Sequence, residues 1–165
     1  MTLERLWAGW RATYLADVVS APPPEQCLFC GLGEAEPDAA LVVARDEHVF
    51  TALNAFPYTS GHVMVAPLGH EADLDALETE VANALMAMTQ RATAAVRSAY
   101  APDGINVGMN LGRAAGAGIP GHLHVHVLPR WVGDTNFMTS VAETRVMPEA
   151  LTTTLERLRE AWPQS

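Results

Sequence analysis

Lysine is absent from this 165-residue chain, and its ten basic residues are all arginines. That excludes a Walker-type phosphate lysine, a Schiff-base nucleophile and a pyridoxal attachment point. Positive charge is short in general. The formal net charge is −9, which argues against a nucleic-acid polymer as partner, because such a binder needs a basic face for the phosphates. A small anion is not excluded, since backbone N–H groups alone can cradle it. Long apolar runs are missing too. None reaches the roughly 20 residues of a membrane span, and the opening MTLERLWAGWR lacks the continuous apolar core of a secretory leader. The expectation is a cytoplasmic protein with no membrane partner. Cysteine is scarce, and its two copies, Cys27 and Cys30, share one CLFC segment. Cysteines this close suit a metal or redox motif better than a structural staple.

What remains is ordinary for a globular chain: 49% hydrophobic and 18% charged residues, a length that suits one domain with one core. We read residues 1–165 as that domain: an N-terminal helix and linker over 1–26, a core over 27–130 and a C-terminal extension with a helix over 131–165. Leu3, Leu6, Trp7, Trp10 and Tyr14 stand at helical spacing, and the APPPE stretch at 21–25 is a stiff connector. A polar loop follows CLFC. Residues 41–44, 48–53 and 62–66 read as short strands. From 73 to 100 the spacing of Leu74, Leu77, Val81, Leu85, Met88, Ala92 and Val96 predicts one long amphipathic helix, with Asp73 as N-cap and Pro102 past its end. Strands at 104–110 and 122–129 and a helix at 148–162, opened by Pro148, complete the chain. Strands, long helix, strands, helix is the order of an α+β domain with a mainly antiparallel sheet.

Three of the six histidines fall in one pentapeptide, His122-Leu-His124-Val-His126. Alternate strand residues point to opposite faces. Leu123, Val125 and Val127 thus share a face fit for a core, and the three imidazoles share the other. Apolar residues would fill a core better than imidazoles do, so two chemical readings stand. Neutral imidazoles on a strand can ligate zinc. Alternatively, one imidazole attacks phosphorus while neighbours orient it or serve the leaving group. Upstream, GMNLGRAAGAGIPG carries Gly108, Gly112, Gly116, Gly118 and Gly121. These permit close backbone approach to an anion, with Arg113 as an added charge.

The segment NLGRAAGAGIPGHLHVHVLPRW resembles the signature of the histidine-triad superfamily, in which histidines alternate with apolar residues. LNAFPYTSGHVMVAPLGH is similar to that family's ribose-binding region. RLWAGWR and GDTNFM resemble a branch that includes bacterial diadenosine tetraphosphate phosphorylases. The resemblance implies a five-stranded antiparallel sheet with a long central helix and terminal helices, paired into a ten-stranded homodimer. It implies that His124 attacks the α-phosphorus and becomes nucleotidylated, that His126 contacts the phosphate and assists the leaving group, and that His122 completes the catalytic set. Asn54 matches a ribose contact and Asn110 a phosphate contact. Many relatives carry serine or glutamine before the triad. Here Ala117, Gly118 and Ile119 stand there, so backbone N–H groups around Gly116, Ala117 and Gly118 are what can serve. Water or inorganic phosphate would accept the nucleotidyl group of an adenine nucleotide or dinucleoside polyphosphate. No organic cofactor is called for.

Cys27 and Cys30 have zinc-knuckle spacing, and His70 is a candidate third ligand. Relatives that use two cysteines, a histidine in this region and the first triad histidine imply His122 as the fourth ligand of a structural zinc. Buried thiols or a redox pair are the alternatives. His62 matches a position near the nucleotide pocket, or is a strand-edge histidine bonded to backbone. His48 reads as exposed. Trp131, Asp134, Thr135 and Asn136 line a second-nucleotide side or pack a loop. Two rival functions stay open: a zinc metallohydrolase with the triad as ligands, and a non-catalytic nucleotide binder.

Overall fold

The computed structural model describes residues 27–36, 41–134 and 149–163. The expected helix at 3–15, its proline linker, Thr135, Asn136 and Pro148 lie outside them. Among the described residues a short helix, α1 (Leu28–Glu34), comes first, where the sequence suggested only a cysteine segment and a polar loop. It buries Phe29 and Gly33, one helical turn apart, and the Arg45 guanidinium donates to the carbonyls of Leu32 (3.1 Å) and Ala35 (2.7 Å) at its end. A cation on the last carbonyls is what a helix C-terminus favours.

Five strands follow: β1 (Val42–Arg45), β2 (Val49–Leu53), β3 (Val63–Pro67), β4 (Gly104–Met109) and β5 (Val125–Arg130), with the long helix α2 (Thr79–Tyr100) between β3 and β4 and α3 (Leu151–Glu160) at the end. All pairs are antiparallel, in the order β1-β2-β3-β5-β4. The histidine-bearing segment therefore leads into an interior strand, and β4 is an edge.

Alternation along the strands sorts two cores. Val49, Leu53, Val63, Val65, Leu123, Val125 and Val127 pack against Leu85, Met88, Ala92 and Val96 of α2 and Leu158 of α3. The other face holds Phe29, Val42, Phe50, Ala52, Met64 and Ala66, with Cys27, Leu32, Leu68 and Ile119 against them. The expected helical stripe is thus core-facing except at its start. Asp73 does not cap the long helix. It precedes a separate 3-10 turn, Leu74–Ala76, and extended backbone at Leu77 (ψ 137°) and Glu78 (ψ 144°) delays α2 to Thr79. At the far end Ala101 adopts a left-handed conformation (φ 42°) before Pro102.

The β5 ladder also starts later than expected, at Val125. Register pairs Val65 with Val125, so Pro67 stands where Leu123 would pair. Proline has no N–H to give. Leu123 N–H instead donates to the Glu71 carbonyl at 2.6 Å. The alternation of residues 122–126 survives this change of partner.

Candidate active site and metal-ligand cluster

His124 is buried, 6% exposed, with its ring against that of Phe29 (centroids 4.7 Å apart, planes at 30°). Its Nδ1 lies 2.9 Å from the carbonyl oxygen of His122. A carbonyl only accepts, so the hydrogen sits on Nδ1 and Nε2 keeps its lone pair. Burial lowers the pKa of His124, against the opposing pull of that carbonyl. The neutral, nucleophilic form therefore prevails at neutral pH.

A similar deduction runs through His126. His62, fully buried, receives the Tyr58 N–H on Nδ1 at 3.2 Å, and Asn54 Nδ2 lies 3.3 Å from the same atom. The hydrogen of His62 is thus on Nε2, which donates to His126 Nδ1 at 3.0 Å. That leaves the His126 hydrogen on Nε2. Burial, then the neighbouring His124, pushes the His126 pKa down to about 4. His62 is placed by Gly61, whose φ of +80° suits glycine alone; a Cβ there would lie 2.7 Å from the Tyr100 ring. Asn54 also accepts the Phe56 N–H (2.9 Å), so its carboxamide ties the 54–62 turn.

His122 turns the other way. Its Nε2 donates to the Pro67 carbonyl at 2.9 Å, which leaves the Nδ1 lone pair 3.4 Å from Cys27 Sγ and 3.7 Å from Cys30 Sγ. His70 Nδ1 is 3.3 Å from Cys30 Sγ. Donor atoms of Cys27, Cys30, His70 and His122 all lie within 4.8 Å of one another. Ligands about 2.0–2.3 Å from a tetrahedral zinc stand roughly 3.3–3.8 Å apart; the three contacts above match that spacing, and the remaining pairs, within 4.8 Å, would draw in by about an ångström at most. The second nitrogen of His122 is already held by a carbonyl, as metal-ligating histidines require. Among the described residues this is the group of histidine, cysteine and acidic donors that converges; the three triad imidazoles do not share a point.

The glycine-rich loop carries a 3-10 turn, Arg113–Ala115, flanked by Gly112 (φ +77°) and Gly116 (φ +93°). Gly116 and Ala117 spend their N–H groups inside it, on Arg113 O (2.9 Å) and Gly112 O (3.3 Å). Ala117 is buried, Gly118 exposed, and Ile119 packs on the core that holds Phe29. Asn110 follows β4, half-buried. Of the residues expected on a second-nucleotide side, Asp134 accepts the Trp131 N–H (3.1 Å) and pairs with Arg130, and the Trp131 ring meets Tyr100 edge-on. His48 is half-buried rather than exposed, 3.5 Å from Glu80. Sequence reasoning missed Phe29 and the His62–His126 bond; a phenylalanine inside CLFC was the available signal for the first.

A sheet of this order, with alternating histidines running into an interior strand beside a glycine loop, defines a class. Residues 36–132 match the HIT domain, and the chain belongs to the histidine-triad (HIT) family. It is 40% identical to the AP-4-A phosphorylase of Mycobacterium tuberculosis, over 97% of this chain and 85% of that protein. A Zn-bound histidine triad family protein from Mycobacterium smegmatis shares the fold with a TM-score of 0.66 and 33% identity, over 82% of this chain and 92% of that one. A hypothetical histidine triad nucleotide-binding protein from Sulfolobus tokodaii superposes with a TM-score of 0.67 at 27% identity, over 82% and 91% of the two chains.

Proposed function

We propose that this chain cleaves dinucleoside polyphosphates of the diadenosine tetraphosphate type through a nucleotidyl–His124 intermediate, with inorganic phosphate as the preferred acceptor. The observation that carries the reading is the fixed tautomer of His124: Nδ1–H on the His122 carbonyl and the Nε2 lone pair left for phosphorus. The name of the mycobacterial relative supports the substrate and the acceptor.

In the first step Nε2 bonds to the α-phosphorus, and the bond from phosphorus to the bridging oxygen breaks with its electron pair on that oxygen. His126 Nε2–H donates a hydrogen bond to the phosphate oxygens as charge builds there. A phosphate leaving group departs as its anion and needs no proton. An amine leaving group would need one, which a neutral His126 supplies poorly. That balance favours polyphosphates over phosphoramidates. In the second step the acceptor's oxygen attacks phosphorus and the bond to His124 breaks. Asn54, His62, Asn110 and the Gly116–Gly118 loop surround the nucleotide in this reading. Cys27, Cys30, His70 and His122 would hold zinc, which supplies a structural cross-link rather than a reacting centre.

We further propose a homodimer joined along β4. This edge strand is largely exposed (Val107 is 50% exposed), and beside it Met86, Thr93 and Arg97 of α2 line a cleft of about 570 Å³. Light scattering that gives a monomer at micromolar concentration would count against it.

Product analysis with diadenosine tetraphosphate, with and without inorganic phosphate, tests the function. ADP plus ATP formed in the presence of phosphate alone supports the proposal. AMP plus ATP in both tubes makes water the acceptor. Intact substrate in both tubes removes the polyphosphate assignment.

A further inference from the structure

Attack by His124 changes the charge of a buried ring. The neutral imidazole keeps its Nδ1–H, gains a bond from Nε2 to phosphorus and becomes cationic. In the serine-protease triad a carboxylate stabilises the imidazolium that forms. Among the described residues no acidic side chain touches His124. His124 meets the His122 carbonyl at 2.9 Å, the ring of His126, edge-on with centroids 4.8 Å away, and the ring of Phe29.

The Phe29 ring is wholly buried, and its centroid lies 4.7 Å from that of His124, with the planes 30° apart. An aromatic face is negative, and a cation within about 6 Å of the ring centroid is attracted to it, most strongly where water is excluded. A neutral imidazole gains much less from the same contact. The interaction therefore strengthens as the reaction proceeds, which is the property that lowers a barrier.

We infer that Phe29 is a positioning residue whose aromatic face stabilises the positive charge that develops on His124 during nucleotidyl transfer. Its place explains the arrangement of the CLFC segment. Phe29 stands between Cys27 and Cys30, with its ring also 5.2 Å from that of His122. The cysteine helix thus presents the ring to the strand at a fixed height. This inference rests on the reading of His124 as nucleophile.

The test replaces Phe29 by 4-fluoro-, 3,5-difluoro- and 3,4,5-trifluorophenylalanine in the full chain. Fluorine drains the face of negative potential and leaves the shape nearly unchanged, so packing is preserved where Phe29→Ala would leave a cavity. Single-turnover formation of the His124 adduct is then followed with diadenosine tetraphosphate. The expected rate falls step by step with fluorination, about tenfold across the series, with KM and Tm unchanged. Phe29→Leu, tested alongside, falls at least as far. An adduct whose rate ignores fluorination overturns this inference and leaves the nucleophile in place. A wild-type chain that turns over substrate with no adduct on His124 overturns both.

Discussion

His124 stands between two residues of the same kind, two positions away on either side, and the flanks are built to opposite ends. On the amino-terminal flank His122 gives its Nε2–H to the Pro67 carbonyl and turns its Nδ1 to two thiols. On the carboxy-terminal flank His126 accepts a hydrogen bond on Nδ1 from His62 and keeps its hydrogen on Nε2. In the proposed function one imidazole serves structure and the other chemistry. The residue type does not decide this; the second nitrogen's partner does. Both rings carry their hydrogen on Nε2: a backbone carbonyl takes that hydrogen from His122 and leaves the Nδ1 lone pair, whereas a donating histidine takes the Nδ1 lone pair of His126 and leaves the Nε2–H.

The most complete way to erase the comparison is to remove the residue between the flanks. His124→Ala is expected to lower kcat by about 10⁴-fold or more while leaving metal content and Tm near wild type. Turnover within tenfold of wild type would sink the nucleophile. Next in size is the carboxy-terminal flank. His62→Phe keeps the volume and removes the donor, and kcat should fall by about 10–100-fold, as for other residues that orient a reactive imidazole. Zinc content should not move. The amino-terminal flank should answer the other way: Cys30→Ser or a chelator lowers Tm by about 5–10 °C, and metal analysis falls from one ion per chain toward none. A Cys30→Ser protein that melts with the wild type would show that the four donors hold nothing.

Acid offers a gentler probe. The folded-state pKa of His126, about 4, lies below that of an unfolded histidine near 6.5. Between these values the unfolded chain binds the extra proton, so stability present at neutral pH is lost as pH falls through this window. After allowance for solvent screening the loss is on the order of 1 kcal/mol, readable as a lower denaturant midpoint at pH 4.5 than at pH 7. His126→Asn should flatten part of that slope. The smallest effect belongs to a site remote from both flanks. Ala101 holds a left-handed φ of 42° that glycine adopts without strain, so Ala101→Gly should gain about 0.5–1 kcal/mol and change neither turnover nor metal content.

Much of this was legible in the sequence because it is periodic or local. Strict alternation at 122–127 placed the histidines opposite Leu123, Val125 and Val127, and the stripe from Leu85 to Val96 gave the core face of α2. Cysteine spacing pointed to the candidate metal-ligand cluster, with His70 as a candidate third ligand, although His122 had to come from family likeness. What escaped depends on contacts across the chain. His62 and His126 are 64 positions apart, and no local pattern reports that one donates to the other. The late start of β5 depends on a proline in a neighbouring strand, and α1 has only seven residues, too few for a helical period to stand out. Asp73 looked like an N-cap because the apolar stripe begins at Leu74, but that leucine belongs to a turn that the helix does not continue.

Pro67 closes β3 at the place where register would next engage Leu123. The backbone there is released from the sheet: Leu123 N–H goes to Glu71, and the His122 carbonyl takes up the ring of His124. Cohesion and reactivity therefore compete for the same peptide groups. A library screened for thermal tolerance alone would reward Pro67 variants that prolong the ladder; these would draw Leu123 back toward β3 and shift the peptide whose carbonyl sets the tautomer of the proposed nucleophile. In this chain a gain in melting temperature at that position is a warning to assay turnover.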